Sequence, residues 1–413
     1  MNAKQAERYF RLFSVHFAAR PRLFGCMAIL RSIVSMAPIG GNMALTFELI
    51  EKHGEHEQIV FCHDKTAGLK AIIAIHNTAL GPALGGTRMW NYKNEEEALI
   101  DVLRLSKGMT YKAAAAGLNL GGGKAVIIGD PEKDKSEALF RAFGQYINSL
   151  NGRYITAEDV GTSVKDMGYV FAETHFVTGI SPALGGSGDP SPLTANGVLH
   201  GIKASVKEKM KTDSLKGVRV AIQGLGKVGS YLAGFLVEQG AEIIVADINE
   251  AKTKDMEKRY KAKVVSSDEI LFQECDVLAP CAMGAIINDE TIKKINCKIV
   301  AGGANNQLAE NHHGDQLKEM GILYAPDYVI NAGGLMNVFV ELEGYSKERA
   351  IERTETIYDN LLDIFKISRE ENIPTYQAAN ALAERRLDSI GRLRQKHPGQ
   401  MTRTFSTLKI DNR

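Results

Sequence analysis

Two lysines and a pair of carboxylates stand out in the first half of the chain. The segment SKGMTYKAAAAGLNLGGGKAVIIGD sets Lys112 among small residues and puts Gly121, Gly122 and Gly123 directly before Lys124. Lysine is almost never fully buried without a partner, so either residue would ordinarily sit on the surface. Alanine and glycine offer no polar face for a solvated lysine to share, however. A desolvated ammonium has a lowered pKa, and a second lysine nearby lowers it further. Glycines at the mouth of a strand also remove side-chain bulk and let backbone touch a ligand. Downstream, YITAEDVGT places Glu158 and Asp159 at the end of another strand. One carboxylate near two lysines is a proton-transfer set.

A second chemistry is written in the other half. The strand-like run VRVAIQ leads into Gly224-Leu225-Gly226-Lys227-Val228-Gly229, followed by the helical pattern SYLAGFLVEQG. The next strand, EIIVAD, ends at Asp247, 18 residues after Gly229. A lone GxGxxG is weak evidence. Here the strand before it, the helix after it and the terminal acid complete a dinucleotide-binding unit. Gly224 is expected to make the tight turn and Gly226 to let backbone approach a pyrophosphate. Gly229 would let helix pack on strand, with the helix N-terminus facing the phosphates. Asp247 would accept hydrogen bonds from ribose hydroxyls and repel a 2′-phosphate, which predicts NAD rather than NADP.

These groups need elements to hold them. From Gln58 onward, β-branched runs such as AIIAI (71–75), AVIIG (125–129) and KIVAG (298–302) alternate with helical patterns. Alternation of this kind predicts an α/β protein with mainly parallel sheets. One helix should start at Asn94, with Glu97 completing a capping box. Further strands at CDVLAP (275–280) and GILYAP (321–326) extend the doubly wound pattern. Ligand contacts in such folds cluster at strand C-termini, here Cys281-Ala282-Met283, Ala304-Asn305-Asn306 and Asn331-Ala332-Gly333-Gly334. The loop ALGGSGDPSP (183–192) reads as a hinge. The expected organisation is a first α/β domain at 43–182 and a Rossmann NAD-binding domain at 183–345. A helical segment at 346–413 is expected to pack back towards the first domain.

Composition excludes several classes. With 413 residues, 24% charged and a formal net charge of +1, the chain gives no reason to expect nucleic acid as a partner. Residues 1–42 hold six basic residues against the single acid Glu7. Leu23 to Ile39 is too short and interrupted to span a bilayer. The leader resembles an organelle transit peptide, but a start codon placed too far upstream of Met43 is the preferred reading, with the protein cytoplasmic. Cys26, Cys62, Cys275, Cys281 and Cys297 form no metal or disulfide spacing. Cys281 reads as a buried thiol rather than a nucleophile. His312 and His313 look like a metal pair, but adjacent residues do not share a helix face, and the expectation is two solvated side chains.

Taken together, several segments resemble the amino-acid dehydrogenase superfamily of glutamate, leucine, phenylalanine and valine dehydrogenases, most closely its leucine branch. They are GPALGGTRMW, KGMTYKAAAAGLNLGGGKAVIIGDP, GRYITAEDVGT, FVTGISPALGGSGDPSP, GGANNQL and APDYVINAGGLMNV. The resemblance covers residues 43–395. It implies that Lys112 binds the substrate α-carboxylate with help from Asn306 and the backbone of Gly85. It further implies that Lys124 is a low-pKa base that activates water, and that Asp159 relays protons to and from the amino group. Thr194, Cys281, Ala282 and Asn305 would join the glycine loop and Asp247 in holding NAD. The reaction implied is reversible oxidative deamination to a 2-oxo acid and ammonium, with no metal.

Glutamate members read GPYKGG where this chain has Leu84 in GPALGG, and they use a hydroxyl where it has Val338. A side-chain carboxylate buried there would be unpaired, which disfavours glutamate. Ala157 and Leu335 match other apolar pocket positions, so leucine and other branched-chain amino acids are expected. Phenylalanine or valine specificity, or an inert NAD-binding regulatory role, are the alternatives. The resemblance also makes 43–182 the substrate-binding and oligomerisation domain of a homo-oligomer, commonly an octamer.

Overall fold

The computed structural model describes residues 46–395. The basic leader at 1–42, with Cys26, and the chain after residue 395 lie outside the described residues.

Strands β1 (Gln58–Asp64) and β2 (Leu69–Asn77) follow helix α1 (Thr46–His53), and the short β3 (Ala83–Leu84) and β4 (Thr87–Trp90) come next. Helix α2 (Glu95–Ala115), β5 (Gly121–Ile128), α3 (Glu137–Ser149), β6 (Tyr154–Ile155) and α4 (Val164–Phe171) complete this half. The strands form one sheet in the order β1-β2-β5-β3-β6, with β4 also pairing with β5. The sequence predicts mainly parallel sheets, but this one is mixed: β1–β2 and β2–β5 run antiparallel. The cause is local. Asp64 Oδ1 accepts hydrogen bonds from the Thr66 and Ala67 amides and Gly68 adopts φ +71°, closing a tight turn that can only join antiparallel strands.

The α2 cap forms as expected at Asn94, whose side chain accepts from the Glu97 amide at 2.8 Å. Glu97 reaches back one residue further than a capping box requires, accepting from the Lys93 amide at 2.8 Å. In β5, glycines 121–123 face protein rather than a ligand. A Cβ on Gly121 would lie 2.0 Å from the Asn77 carbonyl oxygen, and one on Gly122 would lie 2.1 Å from the Thr110 amide nitrogen. Their smallness lets α2 and β2 close on the strand that carries Lys124.

Helix α5 (Ser191–Met210) leads into the second sheet. There β7 (Arg219–Gln223), α6 (Lys227–Glu238), β8 (Glu242–Ala246), α7 (Glu250–Tyr260), β9 (Lys263–Val264), β10 (Cys275–Pro280) and β11 (Cys297–Val300) follow in turn. Helix α8 (Asn311–Glu319) and β12 (Leu323–Tyr324) end the sheet, whose order is β12-β11-β10-β7-β8-β9. Every pairing is parallel. The order reverses beside β7, so the crevice of a doubly wound fold opens at its C-terminal end. The chain then forms α9 (Asp327–Ile330), α10 (Gly333–Leu342), α11 (Lys347–Glu355), α12 (Ile357–Glu370) and α13 (Thr375–Gln395). Helix α13 returns to α2, where Tyr111 Oη donates to Glu384 Oε1 at 3.1 Å. No described helix is long and apolar enough to cross a membrane.

Candidate active site

Lys124 sits in the middle of β5, opposite Ala74 of β2, and is only 5% exposed. Such burial demands an anion, and Asp159 supplies it, with Lys124 Nζ 3.1 Å from Asp159 Oδ2. Asp159 occupies a tight turn after β6. Its amide donates to Thr162 Oγ1 at 2.9 Å, and Thr162 Oγ1 in turn donates to the Thr87 carbonyl. A second cation meets the same carboxylate oxygen, since Arg88 Nε donates to Asp159 Oδ2 at 3.1 Å. The Arg88 fork also reaches Asp101 Oδ2 of α2 at 2.9 Å, where the Tyr92 hydroxyl donates at 2.8 Å. Burial pushes the Asp159 carboxyl up, but Lys124 and Arg88 overcome it and hold the group below the usual carboxylate range. Glu158 has a different environment, raised by burial and by the negative charge of Asp189. Sequence reasoning did not find Arg88 or Asp101. The available signal was the arginine in GGTRMW, on β4 beside the strand that carries Lys124.

Lys112 ends α2 and reaches the other sheet's loops. Its Nζ donates to Asn331 Oδ1 at 2.7 Å, and Asn331 Nδ2 donates to Asn305 Oδ1 at 2.6 Å. The amide that meets Lys112 is therefore that of Asn331, while Asn306 lies exposed nearby in sequence with its backbone at φ 51°. Burial pushes the Lys112 ammonium down to about 8; Asp327 opposes the shift, Lys124 adds to it and Asp159 opposes it. Asp327 is itself raised by burial, and its carboxylate accepts from the Gln307 and Tyr328 amides.

The Gly85 backbone is engaged within the protein, its amide donating to the Ile155 carbonyl at 3.1 Å and its carbonyl accepting from Tyr154 Oη at 2.6 Å. Pairing simply runs on past the end of β3. Gly85 is glycine because a Cβ there would lie 1.8 Å from the Gly123 carbonyl oxygen. Leu225 is likewise engaged internally: it is 1% exposed in the core and its amide donates to Asp247 Oδ2 at 2.6 Å.

Leu84, Leu335 and Val338 are buried members of the large core cluster. Ala157 is also buried, and its carbonyl accepts from the Thr87 amide at 2.9 Å.

The glycine loop has the shape its spacing predicts. Gly224 adopts φ +91°, and a Cβ on Gly229 would lie 2.0 Å from the Gly224 carbonyl oxygen. Gly226, by contrast, is exposed, and a Cβ there would meet nothing within 4 Å. That opening, at the uncapped N-terminus of α6, fits a dinucleotide pyrophosphate. Lys227 is exposed and pairs with Asp189 at 3.1 Å, while Val228 is half-buried against Gly303. Asp247 uses Oδ2 on Leu225 and Oδ1 on the Asn249 amide, and each oxygen keeps a lone pair for a ribose hydroxyl. Ala282 packs on Gly224, and Cys281 donates its amide to the Gln223 carbonyl at 2.8 Å. Burial pushes the Cys281 thiol up to about 11, as suits a packing residue. Thr194 lies on α5 and donates to the Pro190 carbonyl, with its Oγ1 facing the Gly334 position of α10.

The histidine pair is also corrected. His313 is 2% exposed rather than solvated, and the ring centroids of His312 and His313 lie 4.0 Å apart. In the first turn of α8, both rings turn to the same carboxylate, Asp289, which comes from another loop.

Comparison with known proteins identifies the family. The family model described as Glu/Leu/Phe/Val dehydrogenase, dimerisation domain, matches residues 56–176. The model described as Glutamate/Leucine/Phenylalanine/Valine dehydrogenase matches residues 185–251 and 244–392. The leucine dehydrogenase of Bacillus subtilis (strain 168) is 58% identical over 350 residues, covering 85% of this chain and 96% of that protein. The phenylalanine dehydrogenase of Bacillus thermotolerans is 51% identical over 360 residues, covering 86% of this chain and 94% of that protein. A crystal structure of L-tryptophan dehydrogenase from Nostoc punctiforme aligns with a TM-score of 0.75 at 46% identity, covering 84% of this chain and 99% of that one. The chain belongs to the glutamate, leucine, phenylalanine and valine dehydrogenase family of NAD(P)-dependent oxidoreductases.

Proposed function

We propose that this chain catalyses the NAD-dependent, reversible oxidative deamination of L-leucine and related branched-chain amino acids. The observation that carries the reading is the buried Lys124–Asp159 pair, 3.1 Å apart, with Lys112 lowered by burial on the neighbouring helix. When bound, the nicotinamide supplies a hydride acceptor for the substrate Cα. Lys112 holds the α-carboxylate. Asp159, kept ionised by Lys124 and Arg88, accepts a proton from the substrate ammonium, freeing the nitrogen lone pair that assists departure of the hydride. The substrate carbon becomes an iminium. Lys124, once its ammonium proton has passed to solvent, takes a proton from water as the water oxygen bonds to that carbon. Asp159 then returns its proton to nitrogen, and the hydroxyl proton passes to the departing ammonia as the C–N bond breaks and the carbonyl forms. Amino acid, water and NAD thus give 2-oxo acid, ammonium, NADH and a proton.

Specificity follows from the lining. Leu84 and Val338 are 2% and 8% exposed, and a glutamate side-chain carboxylate against them would lose its hydration unpaired, at several kcal/mol. Leucine, isoleucine and valine differ by a methylene or a branch point, worth about 1–3 kcal/mol each, so all three should turn over. Leucine dehydrogenases at 58% identity over most of their length support this choice. A cytoplasmic, reducing location is supported by Cys62, Cys275, Cys281 and Cys297, all free thiols. A homo-oligomer, up to an octamer, is the assembly proposed, and light scattering of the purified protein tests it.

The deciding assay follows NADH absorbance with leucine, isoleucine, valine, phenylalanine, tryptophan and glutamate. Branched-chain substrates should lead and glutamate should be silent. Preference for an aromatic substrate would overturn the pocket assignment. Turnover by the Lys124→Ala variant with its dinucleotide binding intact would overturn the mechanism.

A further inference from the structure

Asp289, His312 and His313 take no part in the chemistry above, yet their ligating atoms converge. Asp289 Oδ1 lies 3.4 Å from His312 Nε2 and 3.2 Å from His313 Nε2, and all three atoms fall within 4.8 Å of one another. Imidazole nitrogen and carboxylate oxygen bind zinc at about 2.0–2.2 Å, which puts neighbouring ligands of a tetrahedral shell roughly 3.3 Å apart. Two edges of such a shell are therefore already at length.

The second layer is present as well. His313 is buried, and its Nδ1 lies 3.0 Å from the Glu310 amide nitrogen and 3.1 Å from the Glu310 carbonyl oxygen. With Nδ1 unprotonated the ring accepts from the Glu310 amide; protonating Nδ1 exchanges that bond for one to the Glu310 carbonyl. With its proton on Nδ1, the ring donates to the carbonyl and turns the Nε2 lone pair towards Asp289, the usual support of a metal-bound histidine. Asp289 is held in its turn by Asn288, whose side-chain oxygen accepts from the Glu290 and Thr291 amides at 3.1 Å. The side chains of Asp289 and His312 are 75% and 51% exposed, so the cluster opens to solvent on one side. Ligand chemistry then selects the ion. Two imidazoles and one carboxylate suit zinc, cobalt or nickel and do not suit magnesium or calcium, which take oxygen ligands.

We propose that Asp289, His312 and His313 form a three-ligand site for a divalent transition ion of the zinc class, with water in the fourth position. Its placement gives the ion a role. Asp289 closes the loop that starts at Cys281 and Ala282, whereas the histidines follow the loop of Asn305 and Asn306. Backbone bonds already join the two loops, Ala285 to Asn306, Ile287 to Gln307 and Ala309 to Ile287. A bound ion would fasten both, and so stiffen the rim beside the dinucleotide crevice. That consequence rests on the cofactor placement proposed above, whereas binding of the ion does not.

The test uses the full chain without substrate or dinucleotide. Zinc is titrated by calorimetry against the wild type, His312→Ala and Asp289→Ala, both exposed positions whose loss should leave the zinc-free fold and activity unchanged. One zinc per chain is expected to bind the wild type, with affinity falling about tenfold or more in each variant. Zinc should raise the thermal midpoint of the wild type alone, and cobalt should give the visible absorption of a four-coordinate nitrogen–oxygen site that both variants lose. Equal zinc affinity in all three proteins, or no binding to the wild type, overturns the proposal.

Discussion

Replacing Arg88 with methionine should move the acid limb of the pH–rate profile, by an amount set by the geometry. Arg88 Nε contacts Asp159 Oδ2 at 3.1 Å, the oxygen that Lys124 also holds. Opposite charges about 4 Å apart attract by about 1 kcal/mol in bulk water and about 4 kcal/mol at an effective dielectric of 20. The two side chains are 23% and 24% exposed, so the lower part of that range applies after screening. At about 1.4 kcal/mol per pKa unit, losing Arg88 should raise the Asp159 carboxyl by roughly 1–2 units. The sign follows from the native state. Asp159 lies below the ordinary carboxylate value and acts as an ionised base, so activity is present above its pKa and lost as pH falls through it. With Arg88 gone, burial is opposed by Lys124 alone, and the loss begins at higher pH. The assay is kcat/KM for leucine against pH for wild type and Arg88→Met, with thermal melts to check the fold. Arg88→Lys should fall between them, since one ammonium cannot span Asp159 and Asp101 as the guanidinium does. Coincident acid limbs for wild type and Arg88→Met, with Asp159→Asn inactive, would refute the reasoning.

Two further perturbations separate packing from binding in the glycine loop. Gly229→Ala forces a Cβ to 2.0 Å from a backbone oxygen and should cost about 1–3 kcal/mol of stability or more, seen as a lower thermal midpoint. Gly226→Ala meets open space at an ordinary φ of −64°, so its midpoint should hold while NAD affinity falls; unchanged affinity would move the pyrophosphate elsewhere. Asp247→Asn retains an oxygen for the Leu225 amide but removes the charge. Fluorescence titration should show NADP binding gaining on NAD, and an unchanged ratio would remove Asp247 from cofactor choice.

The glycine loop was legible in the sequence because its constraints act over a few residues. A strand, a turn needing positive φ and a helix that must touch the turn are all encoded between Arg219 and Glu238. The second sheet was legible for a similar reason, since strands buried on both faces read as continuous apolar runs. The hairpin that makes the first sheet mixed was not, although its Asp64–Gly68 turn is local. Its strands resemble their parallel neighbours in composition.

The sequence by itself determined which residue types are available for catalysis and on which element each one rides. Lys112 and Lys124 could be singled out because small neighbours deny a lysine its solvated face, whereas Asp159 was chosen over Glu158 only by the family resemblance. Only the tertiary structure decided who meets whom. Arg88 reaches Asp159 across 71 residues of sequence and Lys112 reaches Asn331 across 219. The same holds for what is withheld, as with the Gly85 and Leu225 amides, already occupied by Ile155 and Asp247. Charge pairing and hydrogen-bond satisfaction depend on distance and burial in three dimensions, and no spacing along the chain records them.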